Sequence, residues 1–118
     1  MIVDDNYRIR ELMRECLQQL GFTDITEAKN GWDALKLSEQ CLPDIVTLDW
    51  NMPKMDGLEY LTELRLLPDG NKPVVVFCST ENSKSKIDMV LAAGANEYIT
   101  KPFNVKIVRQ KFSALGLI

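Results

Sequence analysis

The segment PDIVTLDWNMPKMDG, residues 43–57, decides the fold of this chain. Its apolar part, residues 45–48, suits a strand that is covered on both faces, as the strands of a parallel sheet are. Asp49 follows directly, and a tight loop marked by Pro53 and Gly57 comes next. In an open α/β sheet the carboxyl ends of the strands face the ligand crevice. The segment therefore predicts a parallel sheet with a functional carboxylate, Asp49, at the end of a buried strand.

Three further strand-like runs, residues 1–3, 74–78 and 97–100, also end on polar side chains. The polar groups that follow the four runs are Asp4 and Asp5, Asp49, Ser79 and Thr80, and Lys101. Adjacent carboxylates such as Asp4 and Asp5 repel each other unless a cation lies between them. Because the carboxyl ends of parallel strands lie on one edge of a sheet, we expect these groups to converge there.

Helical periodicity fills the intervals between the strands. The helices are predicted over residues 9–20, 32–42, 58–67, 83–93 and from 104 onward, with an edge strand over 24–28 and a turn at Asn30-Gly31. Leu12 and Leu91 are among the side chains predicted to face the core. The alternation predicts a flavodoxin-like (βα)5 doubly wound parallel sheet with strand order 2-1-3-4-5. The first strand is short for a central one.

Composition excludes several classes of function. A chain of 118 residues suits one domain, and its net charge of −3 argues against a nucleic-acid-binding module. No segment approaches the roughly 20 apolar residues that span a bilayer. The absence of histidine excludes Ser-His-Asp and Cys-His centres and His-liganded metals. Without a Cys-x-x-Cys spacing, Cys16, Cys41 and Cys78 are predicted to be free buried thiols in a reducing cytoplasm.

The chain resembles the receiver domains of two-component response regulators over essentially its full length, and most of all the stand-alone chemotaxis-type receivers of the CheY kind. The matching pieces are Val3-Asp4-Asp5, residues 43–49, Met52-Pro53-x-Met55-Asp56-Gly57, Ser79, Gly94-Ala95 and residues 98–103. Each piece is weak alone, whereas their order and intervals together are specific. The resemblance implies a single receiver domain over residues 1–118 with no output domain.

The resemblance implies that Asp49 accepts a phosphoryl group from the phosphohistidine of a sensor histidine kinase. The reaction would require Mg²⁺, which Asp5, Asp49 and the Asn51 backbone carbonyl would bind directly, and Asp4 through a water molecule. Carboxylates and a carbonyl are oxygen ligands of the kind that Mg²⁺ prefers. Lys101 would contact the phosphoryl oxygens as a point charge, and its bond to Pro102 would be cis.

A switch is implied by the same resemblance. Ser79 matches the residue whose hydroxyl binds the transferred phosphoryl group, although Thr80 is a competing candidate from sequence alone. Tyr98 matches the aromatic residue that moves inward when that hydroxyl moves. Asn51 and Glu81 match the positions that tune the access of water to the acyl phosphate.

The expected partner surface is the face of the fourth helix, fifth strand and fifth helix, including Phe103, Ile107 and Lys111. An output protein would bind there, with the flagellar motor switch as a candidate, and a phosphatase would assist turnover. The protein is expected to be a cytoplasmic signalling switch in chemotaxis or motility control, with neither nucleic-acid nor membrane partners. It would not be an enzyme beyond catalysing its own phosphorylation and dephosphorylation.

Other functions share parts of this pattern. Within the receiver class, the chain could be a phosphorelay intermediary or a fragment of a larger regulator. A phosphatase of the haloacid-dehalogenase kind also uses a strand-end Asp with Mg²⁺, but it needs a second Asp where this chain has Asn51. A flavodoxin-like FMN carrier needs a hydroxyl-rich loop after the first strand, and this chain has Asp4-Asp5-Asn6 there.

Overall fold

Strands and helices alternate along the computed structural model, which describes residues 1–118. The strands are β1 (Ile2–Val3), β2 (Glu27–Ala28), β3 (Ile45–Leu48), β4 (Val74–Ser79) and β5 (Glu97–Thr100). The helices are α1 (Tyr7–Gln19), α2 (Gly31–Gln40), α3 (Gly57–Leu66), α4 (Lys84–Ala92) and α5 (Val105–Ala114). No helix combines the length and the apolar character that a bilayer crossing requires.

The five strands form one parallel sheet in the order β2-β1-β3-β4-β5, which confirms the predicted flavodoxin-like topology. Its two faces carry separate cores. One core packs the sheet against α2, α3 and α4 and contains Leu48, Phe77 and Tyr98. The other packs it against α1 and α5 and contains Met13 and Phe112. Burial on both faces is the usual condition of a parallel sheet.

Polar N-caps begin the helices and correct one detail of the sequence analysis. Asn30 accepts a hydrogen bond from the Asp33 backbone N–H, so the predicted Asn30-Gly31 turn is the start of α2. Asn6 caps α1 through its side-chain oxygen. A capping Asn satisfies backbone N–H groups that the helix cannot satisfy itself. Because Asn6 has this role, Asp4 and Asp5 are left for other contacts.

The predicted bounds of the second strand and the predicted burial of three side chains were wrong. The second strand is only Glu27–Ala28, because its single neighbour, β1, is itself two residues long. Leu12 and Leu91 lie at the margins of their apolar stripes and are exposed. Cys41 caps the C-terminus of α2 and is exposed, whereas Cys16 and Cys78 are buried as predicted.

Gly57 lies where the loop after β3 returns to the sheet. Its N–H donates to the Trp50 carbonyl at 2.8 Å. A Cβ at this position would overlap the Asp49 carbonyl oxygen and come within 3.2 Å of the Phe77 ring. Only glycine allows this close approach of two backbone segments. The loop is thereby held directly against the end of β3.

Candidate functional site

Asp4 and Asp49 lie side by side because the residues before them, Val3 and Leu48, are paired in the sheet. The Asp49 backbone N–H donates to the Val3 carbonyl at 2.9 Å, which extends that ladder to the site. Both Asp side chains are buried, with 3% and 7% of the residue exposed. Parallel pairing therefore sets two carboxylates, far apart in sequence, at one end of the sheet.

The Lys101 ammonium bridges these two carboxylates. Its Nζ atom is 2.7 Å from Asp4 Oδ2 and 3.2 Å from Asp49 Oδ1. Only 12% of the Lys101 side chain is exposed. The bond to Pro102 is cis, as predicted. Lys101, which follows the last strand, thus contacts carboxylates that follow the first and third strands.

Asp5 completes a cluster of three carboxylates. One oxygen from each of Asp4, Asp5 and Asp49 can be chosen so that all lie within 4.8 Å of one another. Asp4 also accepts the Asn6 backbone N–H at 2.9 Å, so both of its oxygens have protein partners. Asp5 is exposed and open to a ligand. Three negative charges against one ammonium leave an excess of two, and this all-oxygen donor set fits a hard divalent cation such as Mg²⁺.

The pKa of Asp49 reflects that excess of negative charge. Burial, and then the charge of Asp4, raise the pKa of Asp49 to about 6, against the opposing effect of Lys101. Burial alone would lower the pKa of Lys101, but its hydrogen bond to Asp4 and the two carboxylate charges raise it. Lys101 is therefore a permanent cation at neutral pH, whereas Asp49 without a metal is destabilised as an anion.

Of the two hydroxyl candidates, the structure favours Ser79. It is the last residue of β4, pairs with Thr100, and is 1% exposed. Its carbonyl accepts the Lys101 N–H at 2.8 Å, and its Oγ accepts the Glu81 N–H at 3.3 Å. Thr80 lies outside the strand and is exposed. Ser79 is thus tied by backbone bonding to the residue that bridges the acids.

Tyr98 occupies an inward position beneath the same loop. It is 5% exposed, and its hydroxyl donates to the Glu81 carbonyl at 2.6 Å. Burial raises the pKa of this hydroxyl, with its contact to Ser79 acting in the opposite direction. The Glu81 backbone therefore links Ser79, through its N–H, with Tyr98, through its carbonyl.

A chain of three aromatic rings was missed by the sequence analysis. Phe77 stacks on Tyr98 with ring centroids 6.2 Å apart, and Trp50 meets Phe77 edge to face at 5.6 Å. The strand register contains the signal, since Leu48 pairs with Phe77 and Phe77 pairs with Tyr98. Trp50 lies two positions beyond Leu48, which places it on the same face. The three rings therefore form a continuous line of contacts from Trp50, the residue after Asp49, to Tyr98.

The predicted partner surface needs one correction. Phe103 is 6% exposed and belongs to the core beside Val108, because the residue before an N-cap often packs against the fourth helical residue. Ile107 and Lys111 are half-buried on α5, and Lys111 pairs with Glu97 at 3.3 Å. Asn51 and Glu81 are both exposed, on the loops after β3 and β4.

The arrangement suits the binding of a tetrahedral oxyanion next to a carboxylate. An ammonium and a hard cation can neutralise phosphoryl oxygens while a carboxylate attacks the phosphorus. Comparisons with known proteins agree with this chemistry. A family model described as the response regulator receiver domain matches residues 1–113.

Curated relatives and solved structures give the same picture. A chemotaxis protein CheY homolog from Campylobacter jejuni is 33% identical over 94% of this chain and 86% of its own length. Chemotaxis protein CheY1 from Helicobacter pylori is 31% identical over 98% and 94%. Among solved structures, CheY4 of Vibrio cholerae superposes with a TM-score of 0.89 at 28% identity, covering 97% of this chain and 94% of that one.

A second solved structure contains ligands of interest. The CheX-CheY-BeF3-Mg²⁺ complex of Borrelia burgdorferi matches with a TM-score of 0.88 at 29% identity, covering 97% of this chain and 86% of that chain. The predicted strand order, the strand-end acids and the full-length match converge on one conclusion. This chain belongs to the family of response regulator receiver domains.

Proposed function

We propose that this protein is a phosphorylation-activated signalling switch in which Asp49 accepts a phosphoryl group from a sensor histidine kinase. The observation that carries the proposal is the buried Lys101 ammonium, which contacts Asp4 and Asp49 at 2.7 and 3.2 Å at the mouth of a three-carboxylate cluster. A surface Lys without such a role would be solvated and mobile. Here it is within hydrogen-bonding distance of Asp49, the side chain that would carry the acyl phosphate.

In the transfer step, an Asp49 oxygen forms a bond to phosphorus as the bond from phosphorus to the donor's imidazole nitrogen breaks. The imidazole nitrogen keeps the bonding electron pair and takes up a proton. Lys101 donates hydrogen bonds to the phosphoryl oxygens and leaves its contact with Asp49. Asp5, Asp49 and the Asn51 carbonyl, with Asp4 as an indirect partner, would hold Mg²⁺, and the ion would supply further neutralisation of the phosphoryl charge. The protein catalyses only this reaction and its own dephosphorylation.

We propose that the switch uses residues next to this site. A phosphoryl group adds about −1.5 to −2 charge at pH 7. The Ser79 hydroxyl moves toward it and releases the Glu81 N–H, which lies 3.3 Å away. Because Tyr98 bonds the Glu81 carbonyl, this loop and the α4-β5-α5 face shift together. The phosphoryl group is bound more tightly in the packing state in which the Ser79 hydroxyl contacts it. Any ligand-driven switch requires such a difference in affinity between its two states.

The partners are proposed from the relatives. The relatives from Campylobacter jejuni, Helicobacter pylori and Vibrio cholerae are named as chemotaxis proteins, and the CheY of Borrelia burgdorferi was solved in complex with a second protein, CheX. We propose a cytoplasmic role in chemotaxis, with an output protein bound at the α4-β5-α5 face around Ile107 and Lys111. The flagellar motor switch is the candidate output, and a phosphatase would act with Asn51 and Glu81 on turnover. A phosphorelay intermediary is the alternative role.

The proposal is tested by incubation with acetyl phosphate, a small phosphodonor, with and without Mg²⁺. We expect one phosphoryl group per chain, visible by intact-protein mass spectrometry, only when Mg²⁺ is present. Hydroxylamine should remove the group, because it cleaves acyl phosphates and leaves phosphate esters intact. Label that forms in EDTA, or that maps to Ser79 or Thr80, would contradict the proposal.

A further inference from the structure

Arg10 lies beneath the acidic cluster and is 8% exposed. Its Nη1 donates to the Asp4 backbone carbonyl at 2.7 Å, and its Nε donates to Glu27 Oε1 at 3.0 Å. The second oxygen of Glu27 accepts from Arg14 Nε at 2.8 Å. Glu27 is thus held from two sides and in turn orients the Arg10 guanidinium.

The hydrogen bond from Arg10 to the Asp4 carbonyl holds the backbone that carries the acidic residues. Asp4 and Asp5 supply two of the three carboxylates, and the strand that leads to them is only two residues long. Mutual repulsion among Asp4, Asp5 and Asp49 favours separation of the segment from β3. A charged donor to a carbonyl makes a stronger hydrogen bond than a neutral donor does. Arg10 supplies that bond to the backbone carbonyl, so it fixes the position of the Asp4-Asp5 segment without occupying either carboxylate.

We propose that Arg10 is a positioning residue that holds the Asp4-Asp5 backbone in the geometry needed for divalent-cation binding. The inference rests on the proposed function, because it assumes that the cluster binds Mg²⁺. Arg10 acts through the backbone and touches neither the cation nor the phosphoryl group. Outer partners that orient metal ligands typically change metal affinity by about 10- to 100-fold when they are removed.

A matched control separates positioning from ordinary stabilisation. Arg65 is half-buried and, like Arg10, has a guanidinium bonded to backbone carbonyls, with contacts to Gly70, Pro73 and Gly94 at 2.6–3.2 Å. Those carbonyls lie on loops that contribute no ligand to the cluster. Arg65→Met should therefore lower stability without moving the cation site, whereas Arg10→Met should affect both.

The experiment measures Mg²⁺ affinity in Arg10→Met, Arg10→Lys and Arg65→Met. Isothermal calorimetry gives the Kd, and Trp50 fluorescence in a Trp32→Phe background gives a second readout. We expect a Kd raised about 10-fold or more in Arg10→Met, a smaller rise in Arg10→Lys, and a change below about twofold in Arg65→Met. In EDTA, the Asn6 amide should exchange faster with solvent in Arg10→Met than in Arg65→Met, which reports the positioning without metal.

Each result has a distinct meaning. If the wild type binds Mg²⁺ and a folded Arg10→Met binds it equally well, the inference is wrong while the proposed function stands. If Arg65→Met weakens binding as much as Arg10→Met does, the effect is general destabilisation and the inference is also wrong. If the wild type binds no Mg²⁺, the proposed function fails and this inference fails with it. Should Arg10→Met not fold, Arg10→Lys carries the same comparison.

Discussion

Replacing Asp49 by Asn is expected to abolish phosphoryl uptake and, in metal-free protein near neutral pH, to stabilise the fold. The folded protein holds Asp49 at a pKa of about 6, against 3.8 for an unperturbed Asp side chain. A difference of this size corresponds to about 2–3 kcal/mol, since one pKa unit is about 1.4 kcal/mol. An amide carries no charge that burial and Asp4 would destabilise. Stability that is given up for function is typical of reactive sites.

The sign of the pH dependence follows from the raised pKa. The contribution of Asp49 to stability is complete below its unfolded pKa and is lost as the pH rises through about 6. The advantage of Asp49→Asn should therefore be greatest at about pH 8 and fall to about half at about pH 5. Urea unfolding in EDTA at both pH values measures it. The raised pKa of Asp49 would be refuted if the variant were less stable than the wild type at the higher pH. It would also be refuted if the variant's gain in stability were the same at both pH values.

Lys101→Met is expected to produce the largest loss of stability at the site. The change removes the cation that contacts both Asp4 and Asp49, so two buried carboxylates are left without it. Breaking a buried ion pair by removing one partner typically costs about 3–5 kcal/mol. In EDTA at neutral pH we expect a loss of about 3 kcal/mol, measured by urea unfolding. We also expect the variant to transmit phosphorylation poorly to any output partner.

Saturating Mg²⁺ should restore much of the stability of Lys101→Met, because a cation bound by the three carboxylates replaces the missing charge. Lys111→Met is the control. Its pair with Glu97 leaves 38% and 29% of the two side chains exposed, so its loss should cost less than about 1 kcal/mol and should not respond to Mg²⁺. Equal stability losses in the two variants, or no rescue of Lys101→Met by Mg²⁺, would contradict the assigned role of the cluster.

The topology was predictable because strands buried on both faces leave long apolar runs in the sequence. Residues 45–48 and 74–78 are such runs, and their ends identified Asp49 and Ser79. The first and last of the four polar ends, Asp4 and Lys101, are 97 positions apart, yet they lie in contact. Parallel pairing makes that contact a geometric consequence, since every strand ends at the same edge.

What the sequence did not predict depends on side-chain direction and on caps. Phe103 looks like a surface aromatic until Asn104 is known to cap α5, after which its packing beside Val108 follows. Arg10 looks like a solvated residue of α1, because no local pattern shows that its guanidinium turns back under Asp4. The stack of Phe77 on Tyr98 needed the strand register, which short apolar runs do not determine by themselves.

The proposed site is tested most directly by the binding of beryllofluoride, a mimic of the phosphoryl group, followed by fluorine NMR. We expect bound fluorine signals only when Mg²⁺ is present, at one equivalent per chain, and their loss in Asp49→Asn. We also expect Trp50 fluorescence to change in parallel in the Trp32→Phe background. Bound signals in EDTA, or signals that persist in Asp49→Asn, would show that the cation, Lys101 and Asp49 do not form one site.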